Sequence, residues 1–282
     1  MRSLRTFSVK RIGAPAERVT DQIAVEEPLA ISVKYWQKDA AVTASLALTM
    51  RTPGHDRELA AGLLLSEGVI HKAADLSEIR ALGTEPSNEV LVELARGIDF
   101  EAWRMARNGF VSSSCGVCGK RSREAMQQDM PPVELDDFRL AAEVIHGLPA
   151  ALRAHQPGFA ETGGLHAAAL FTGHGQVEAA FEDIGRHNAL DKLTGWALLN
   201  GRVPLHARVL FMSSRGSFEL VQKAAMAGAP VLATVGGPSS LAIETARELH
   251  MTLLGFVREQ RFNIYSGDWR INSKIDEVAV SQ

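Results

Sequence analysis

Residues 208–257 read RVLFMSSRGSFELVQKAAMAGAPVLATVGGPSSLAIETARELHMTLLGFV, and this stretch decides the fold. Arg208–Ser213 is a short apolar run that predicts a buried strand, and Phe218–Ala227 carries apolar residues at helical spacing. The pair then repeats. Pro230–Val235 predicts a strand, Ser239–His250 a helix and Thr252–Val257 a strand. Alternation of this kind argues an α/β layered sheet with covering helices. Immediately upstream, Leu165–Phe171 and Val177–Phe181 predict two more strands, and His187–Leu199 a helix.

Towards the N-terminus the elements shorten. Leu29–Tyr35 and Ala44–Met50 predict strands, and Arg51-Thr52-Pro53-Gly54-His55-Asp56 is a turn signal. Asp56 stands where it would cap a helix over Glu58–Glu67, ELAAGLLLSE. Glu89–Leu94 predicts another strand. These elements divide the chain into a flexible leader over 1–20, a small α+β subdomain over 21–108, a cysteine loop over 109–125 and the α/β domain over 126–282. Helical patterns run over Ser122–Gln128 and Leu140–His155, separated by the helix-breaking Pro131-Pro132.

The bulk properties exclude several classes of function. The 282 residues are 46% hydrophobic, enough for a sizeable core, and the formal net charge is −3. Neither a basic surface for nucleic acid nor an apolar run of the roughly 18–20 residues that span a bilayer is present. The basic start, Met1–Phe7, lacks the apolar segment of a secretory signal. Only two cysteines occur, three positions apart, which is no disulfide scaffold and places the chain in a reducing cytoplasm.

Those cysteines carry the sharpest chemistry. Ser112-Ser113-Ser114-Cys115-Gly116-Val117-Cys118-Gly119-Lys120 is a glycine- and serine-rich loop followed by Arg121. A thiolate is the reactive form of cysteine, and nearby cations favour it. A persulfide carrier needs such an accessible thiol. Three other readings stay open: half of a zinc site completed by distant histidines, a redox pair, or two inert thiols.

Two strand–loop–helix junctions read as anion sites: Ser213-Ser214-Arg215-Gly216-Ser217 and Gly236-Gly237-Pro238-Ser239-Ser240. Helix N-termini present free N–H groups, glycine permits close approach, and an arginine adds a two-pronged donor. Neither loop is a P-loop, so nucleotide hydrolysis is not supported. Asp183-Ile184-Gly185-Arg186-His187-Asn188 gathers polar side chains at a helix start, with Asp183 or Asn188 as cap and Arg186 and His187 as ligand contacts. His166, at the start of a small-residue strand, reads as structural.

Taken in order, RTPGHDRELAAGLLLSEG, SSSCGVCGK, TGGLHAAAL, EDIGRHNALDK, SSRGSFELVQKAAMAG and VLATVGGPSSLAIETA resemble the FdhD family of formate dehydrogenase accessory sulfurtransferases. The resemblance covers residues 20–266. It implies a sulfur carrier that takes sulfur from a cysteine desulfurase and passes it to the molybdenum bis-guanylyl-pterin cofactor, with GDP-like nucleotides as partial mimics. It also implies a homodimer, formate dehydrogenase as client, and a cytidine-deaminase-like C-terminal fold. The persulfide-forming cysteine falls on Cys115 and its neighbour on Cys118. The cofactor segment falls by position on Phe256, Val257, Arg258, Glu259, Gln260 and Arg261, beside the loop residues Ser213, Ser214, Arg215, Gly216, Gly236 and Gly237. The zinc pattern of deaminases is absent, so deamination is not expected. A chaperone that binds the cofactor without transferring sulfur is the alternative.

Overall fold

The computed structural model describes residues 3–13, 15–83, 87–100, 111–112, 130–133 and 137–272. The chain is a mixed α/β protein with two principal sheets. The larger sheet has six strands in the order β10-β9-β11-β12-β13-β14. They are β9 (His166–Thr172), β10 (Val177–Asp183), β11 (Arg208–Met212), β12 (Val231–Thr234), β13 (Thr252–Arg258) and β14 (Arg261–Ser266). The central strands β11, β12 and β13 run parallel, β9 and β14 flank them antiparallel, and β10 pairs antiparallel with β9 at the edge.

This sheet is buried on both faces, so its strands read as continuous apolar runs rather than alternating ones. Successive side chains still point to opposite faces. Ala168, Leu170, Leu210, Met212, Leu232 and Leu253 enter one core, whereas Ala167, Ala169, Phe171, Val209, Phe211, Val231, Ala233 and Leu254 enter the other. The first core is covered by α4 (Arg186–Leu199), α5 (Phe218–Met226) and α6 (Ser240–Glu248). The second is covered by α2 (Ala142–Arg153), and the short α3 (Pro157–Thr162) follows it.

The smaller sheet has the order β5-β6-β3-β4-β7 and is built from β3 (Glu27–Gln37), β4 (Ala40–Arg51), β5 (Leu76–Ala81), β6 (Glu89–Leu94) and β7 (Val111–Ser112). Between the two sheets runs α1 (Asp56–Ser66), whose eight residues Leu59–Ser66 are all buried. A helix that is apolar all round is a buried helix. Leu29, Ile31, Val33, Val90 and Val92 of the small sheet share one core with Leu190 and Leu193 of α4 and with the large sheet. A two-stranded pairing of β8 (Leu140–Ala141) with β15 (Ile271–Asn272) closes the second core.

Several local features differ from the sequence expectations. Where a leader without periodicity is predicted over 1–20, β1 (Leu4–Arg11) and β2 (Glu17–Ala24) form an antiparallel hairpin. Both faces of that hairpin are mostly exposed, so no two-residue apolar period marks it. Asp56 does not cap α1. The N-cap position is His55, and Asp56 instead receives two hydrogen bonds from the fully buried Arg51, at 2.9 and 3.0 Å. Neither Asp183 nor Asn188 caps α4, whose N-cap is Gly185. The strand β14 occupies residues where no strand is expected, because an edge strand pairs on one side only and needs no apolar face.

Candidate functional site

The carboxyl ends of β11, β12 and β13 open into a pocket of about 500 Å³. Its floor is Phe211, Val235 and Val257, its walls come from Leu152, Gln156 and Phe159 of the α2–α3 region, and His166, Ser213, Arg153 and Arg258 supply polar groups. Ligands in open α/β sheets bind outside the carboxyl ends of strands, where loops diverge to opposite faces. Here α5 and α6 follow on one face while α2 covers the other, and the pocket opens on the α2 side of the strand ends.

The two glycine-containing loops meet at this end. Gly216 N–H donates to the Gly237 carbonyl at 3.3 Å, Gly236 N–H donates to the Ser214 carbonyl at 2.9 Å, and Ser239 N–H donates to the Gly216 carbonyl at 2.9 Å. Those donors therefore brace the loops against each other. Glycine is required at 236, where a Cβ would lie 2.9 Å from the Arg215 Cα, whereas a Cβ on Gly237 would meet the exposed Phe256 ring at 2.6 Å and push it aside. Phe256 itself has φ +52° and is 46% exposed, so a bulge in β13 turns its ring onto the glycine loop.

The turn before α4 is held by buried ionic chemistry. Asp183 and Lys192 form an ion pair of 2.7 Å with side-chain exposures of 0% and 2%. The same carboxylate accepts N–H bonds from Thr52 at 3.1 Å and Gly185 at 2.8 Å, and an Nδ2–H bond from Asn188 at 3.1 Å. Lys192 also donates to the Thr52 carbonyl at 2.9 Å. A buried charge persists only when paired and fully hydrogen-bonded, and these partners meet that demand. The network fixes Arg186 and His187 at the start of α4. His187 Nε2 lies 2.5 Å from Glu219 Oε2 of α5. Arg186 Nε is buried with no hydrogen-bond partner among the described residues.

Comparison with known proteins adds ancestry to this geometry. The model of the FdhD/NarQ family matches residues 24–272. The chain belongs to the FdhD/NarQ family. A Streptomyces avermitilis protein named sulfur carrier protein FdhD is 46% identical over 274 residues, covering 93% of this chain and 92% of the relative. A Thermoplasma volcanium protein of the same name is 40% identical over 255 residues, covering 89% of each chain. A crystal structure from Desulfotalea psychrophila, provisionally described as a formate dehydrogenase accessory protein, superposes with a TM-score of 0.71 at 24% identity, over 95% of this chain and 98% of that one. The last likeness concerns fold.

Within this FdhD/NarQ member the residues singled out from sequence fall into several places. Ser213, Val257 and Arg258 line the pocket, and Ser214, Gly216, Gly236, Gly237 and Phe256 form the bracing beside it. Arg215 is exposed on the loop after β11. Glu259 and Gln260 form the exposed turn between β13 and β14, which Arg261 begins. Cys115 and Cys118, with Lys120 and Arg121, lie outside the described residues.

His166, read as structural from sequence, lines the pocket. Its imidazole is held below the usual histidine range by burial first, then by Arg186 and His187, with Asp183 opposing them. These surroundings therefore favour the neutral imidazole. Arg153 and Gln156 carry no sequence signal either: the last turn of α2 reads as a solvated helix end, and Gln156 lies in the short connection to α3. Among the described residues no helix is long and apolar enough to cross a membrane, and no group of three or more His, Cys, Asp or Glu is placed to hold a metal ion.

Proposed function

We propose that this chain is a sulfur carrier that takes sulfur from a cysteine desulfurase onto Cys115 and delivers it to the molybdenum bis-guanylyl-pterin cofactor required by formate dehydrogenase. The observation that carries this reading is family membership over residues 24–272, with relatives named sulfur carrier protein FdhD matching about nine-tenths of the chain. The CxxC loop and the pocket at the carboxyl ends of the sheet supply the chemistry that such a carrier needs.

In the loading step the Cys115 thiolate bonds to the outer sulfur of the donor persulfide. The donor S–S bond breaks, and the donor cysteine leaves as a thiolate. Cys118 assists release or shields the persulfide. The pocket receives one guanylyl half of the cofactor: the apolar floor of Phe211, Val235 and Val257 takes the ring, and Arg258 and Arg153 answer the phosphates. The carrier acts in the cytoplasm as a homodimer.

Mass spectrometry after incubation with a desulfurase and cysteine tests the reading. Cys115 should gain the mass of one sulfur, and Cys115→Ala should fail to activate formate dehydrogenase in a strain lacking the native gene. Full complementation by Cys115→Ala would end the sulfur-carrier reading.

A further inference from the structure

His166 stands where the pocket meets the turn before α4. It opens β9 and lines the pocket with Ser213 and Arg258. Every packed element presents a group to it. Asp183 of β10 is its register partner, and Arg186 and His187 of α4 act on it through space. Arg258 of β13 and Arg153 of α2 share its pocket, and Ser213 follows β11.

The charges around this imidazole are unbalanced. Asp183 is the nearby carboxylate, and Lys192 already neutralises it at 2.7 Å. Arg186 keeps an unpartnered Nε among the described residues. Ser213 Oγ accepts the Ala167 N–H at 2.8 Å, which leaves its own proton to donate elsewhere. Glu219 of α5 faces His187 at 2.5 Å and Glu182 of β10 accepts the Gly158 and Phe159 N–H groups, so the groups left to meet a ligand are the Arg186 Nε, the Ser213 hydroxyl and the guanidiniums of Arg153 and Arg258. Burial and these cations disfavour a further proton on His166. An anion in the pocket reverses that field, because an opposite charge within about 4–6 Å favours the protonated form of a base.

We propose that His166 is the proton-linked ligand contact of this pocket: it takes up a proton as a phosphate-bearing ligand binds, and the resulting imidazolium donates a hydrogen bond to the ligand oxyanion. This rests on the nucleotide reading of the pocket given above and adds the side chain that answers the ligand's charge. The proton comes from solvent and returns there on release, so no other co-reactant is needed. Because binding takes up a proton, affinity falls as pH rises through the His166 midpoint of the complex.

Calorimetry with GDP at pH 7, in two buffers of different ionisation enthalpy, measures the protons exchanged. GDP's own phosphate contributes equally to wild type and to His166→Gln, so their difference isolates His166. Wild type should take up as much as one proton more per GDP than the variant. NMR of the wild-type ring, which does not depend on the variant folding, should show the His166 midpoint rising by about 1–3 pH units on GDP addition. Equal proton uptake in the two proteins, or a midpoint unmoved while GDP binds, overturns the role of His166 and leaves the pocket standing. Failure of GDP to bind wild type at all removes the nucleotide reading and this inference with it.

Discussion

Gly62 of α1 and Gly195 of α4 face each other at the crossing of the two helices, so closely that a Cβ on Gly195 would lie 2.6 Å from the Gly62 amide nitrogen. A Cβ on Gly62 would collide with the Asp191 carbonyl, and one on Gly195 with the Glu58 carbonyl. This backbone-to-backbone contact joins the helix beneath the small sheet to the helix that carries Arg186 and His187.

Gly62→Ala and Gly195→Ala should therefore each destabilise the protein by about 3 kcal/mol or more, above the usual range for overpacking, because backbone rather than side chain must move. Gly147→Ala, in α2 with nothing within 4 Å of the added atom, should be neutral or stabilising by as much as about 1 kcal/mol. Urea unfolding of the three variants checks this. Equal stability of Gly62→Ala and wild type would mean that the helices are further apart than described.

Lys192→Met leaves the Asp183 carboxylate buried with its hydrogen bonds but without its cation. Breaking one side of a buried pair costs about 3–5 kcal/mol. The double variant Asp183→Asn/Lys192→Met should recover part of that loss. Chemical denaturation of both variants measures the difference, and a fully additive double variant would contradict the pairing.

Arg258 donates from Nη1 to the Val235 and Val257 carbonyls, at 2.7 and 2.8 Å, which anchors its guanidinium at the rim of the pocket. Arg258→Ala should weaken GDP binding roughly 10- to 150-fold, the worth of a lost charge-assisted contact of about 1.5–3 kcal/mol. Gly237→Val should weaken it as well, by displacing the Phe256 ring. Titration calorimetry reads both, and unchanged affinity in both would move the ligand elsewhere.

Glu178 is held below the usual carboxylate range, chiefly by its hydrogen bond from Arg208 and then by the charges of Arg208 and Arg202, against the opposing effect of burial. A depressed carboxylate contributes stability that is present above its unfolded value and is lost as pH falls through its folded one. Glu178→Gln should thus lower stability at pH 7 by about 1 kcal/mol at most and leave it unchanged near pH 2, as urea melts at the two values would show.

His166 acts with the same sign at higher pH. Its folded midpoint lies below its unfolded one, so the neutral form contributes stability above the unfolded value, and that contribution is lost as pH falls through the folded midpoint. Removal of the ring in His166→Gln should flatten the stability profile on the acid side of pH 6.5, measured by thermal melts without ligand.

How much of this was legible in the amino-acid order depends on how each feature arises. Strands β9, β11, β12 and β13 and helices α1, α4, α5 and α6 declare themselves, because burial writes an apolar run or a helical spacing into the sequence. The CxxC pair and the glycine loops declare themselves because few residue types meet their backbone or chemical demands. The hairpin β1–β2 and the edge strand β14 leave no such mark, since their faces lie largely in solvent and their pairing is made by backbone groups that every residue carries. Asp56 and Asp183 have the right residue type and place to cap a helix. Only folding brings Arg51 and Lys192 close enough to claim them, because a full ion pair in a dry interior outcompetes a cap. The meeting of His166 with Ser213, Arg258 and the Arg186–His187 turn likewise joins segments far apart in the chain. Sequence determined which elements form and which chemistry they carry; only the tertiary structure decided which polar groups answer one another, because that depends on distances through space and on the exclusion of water.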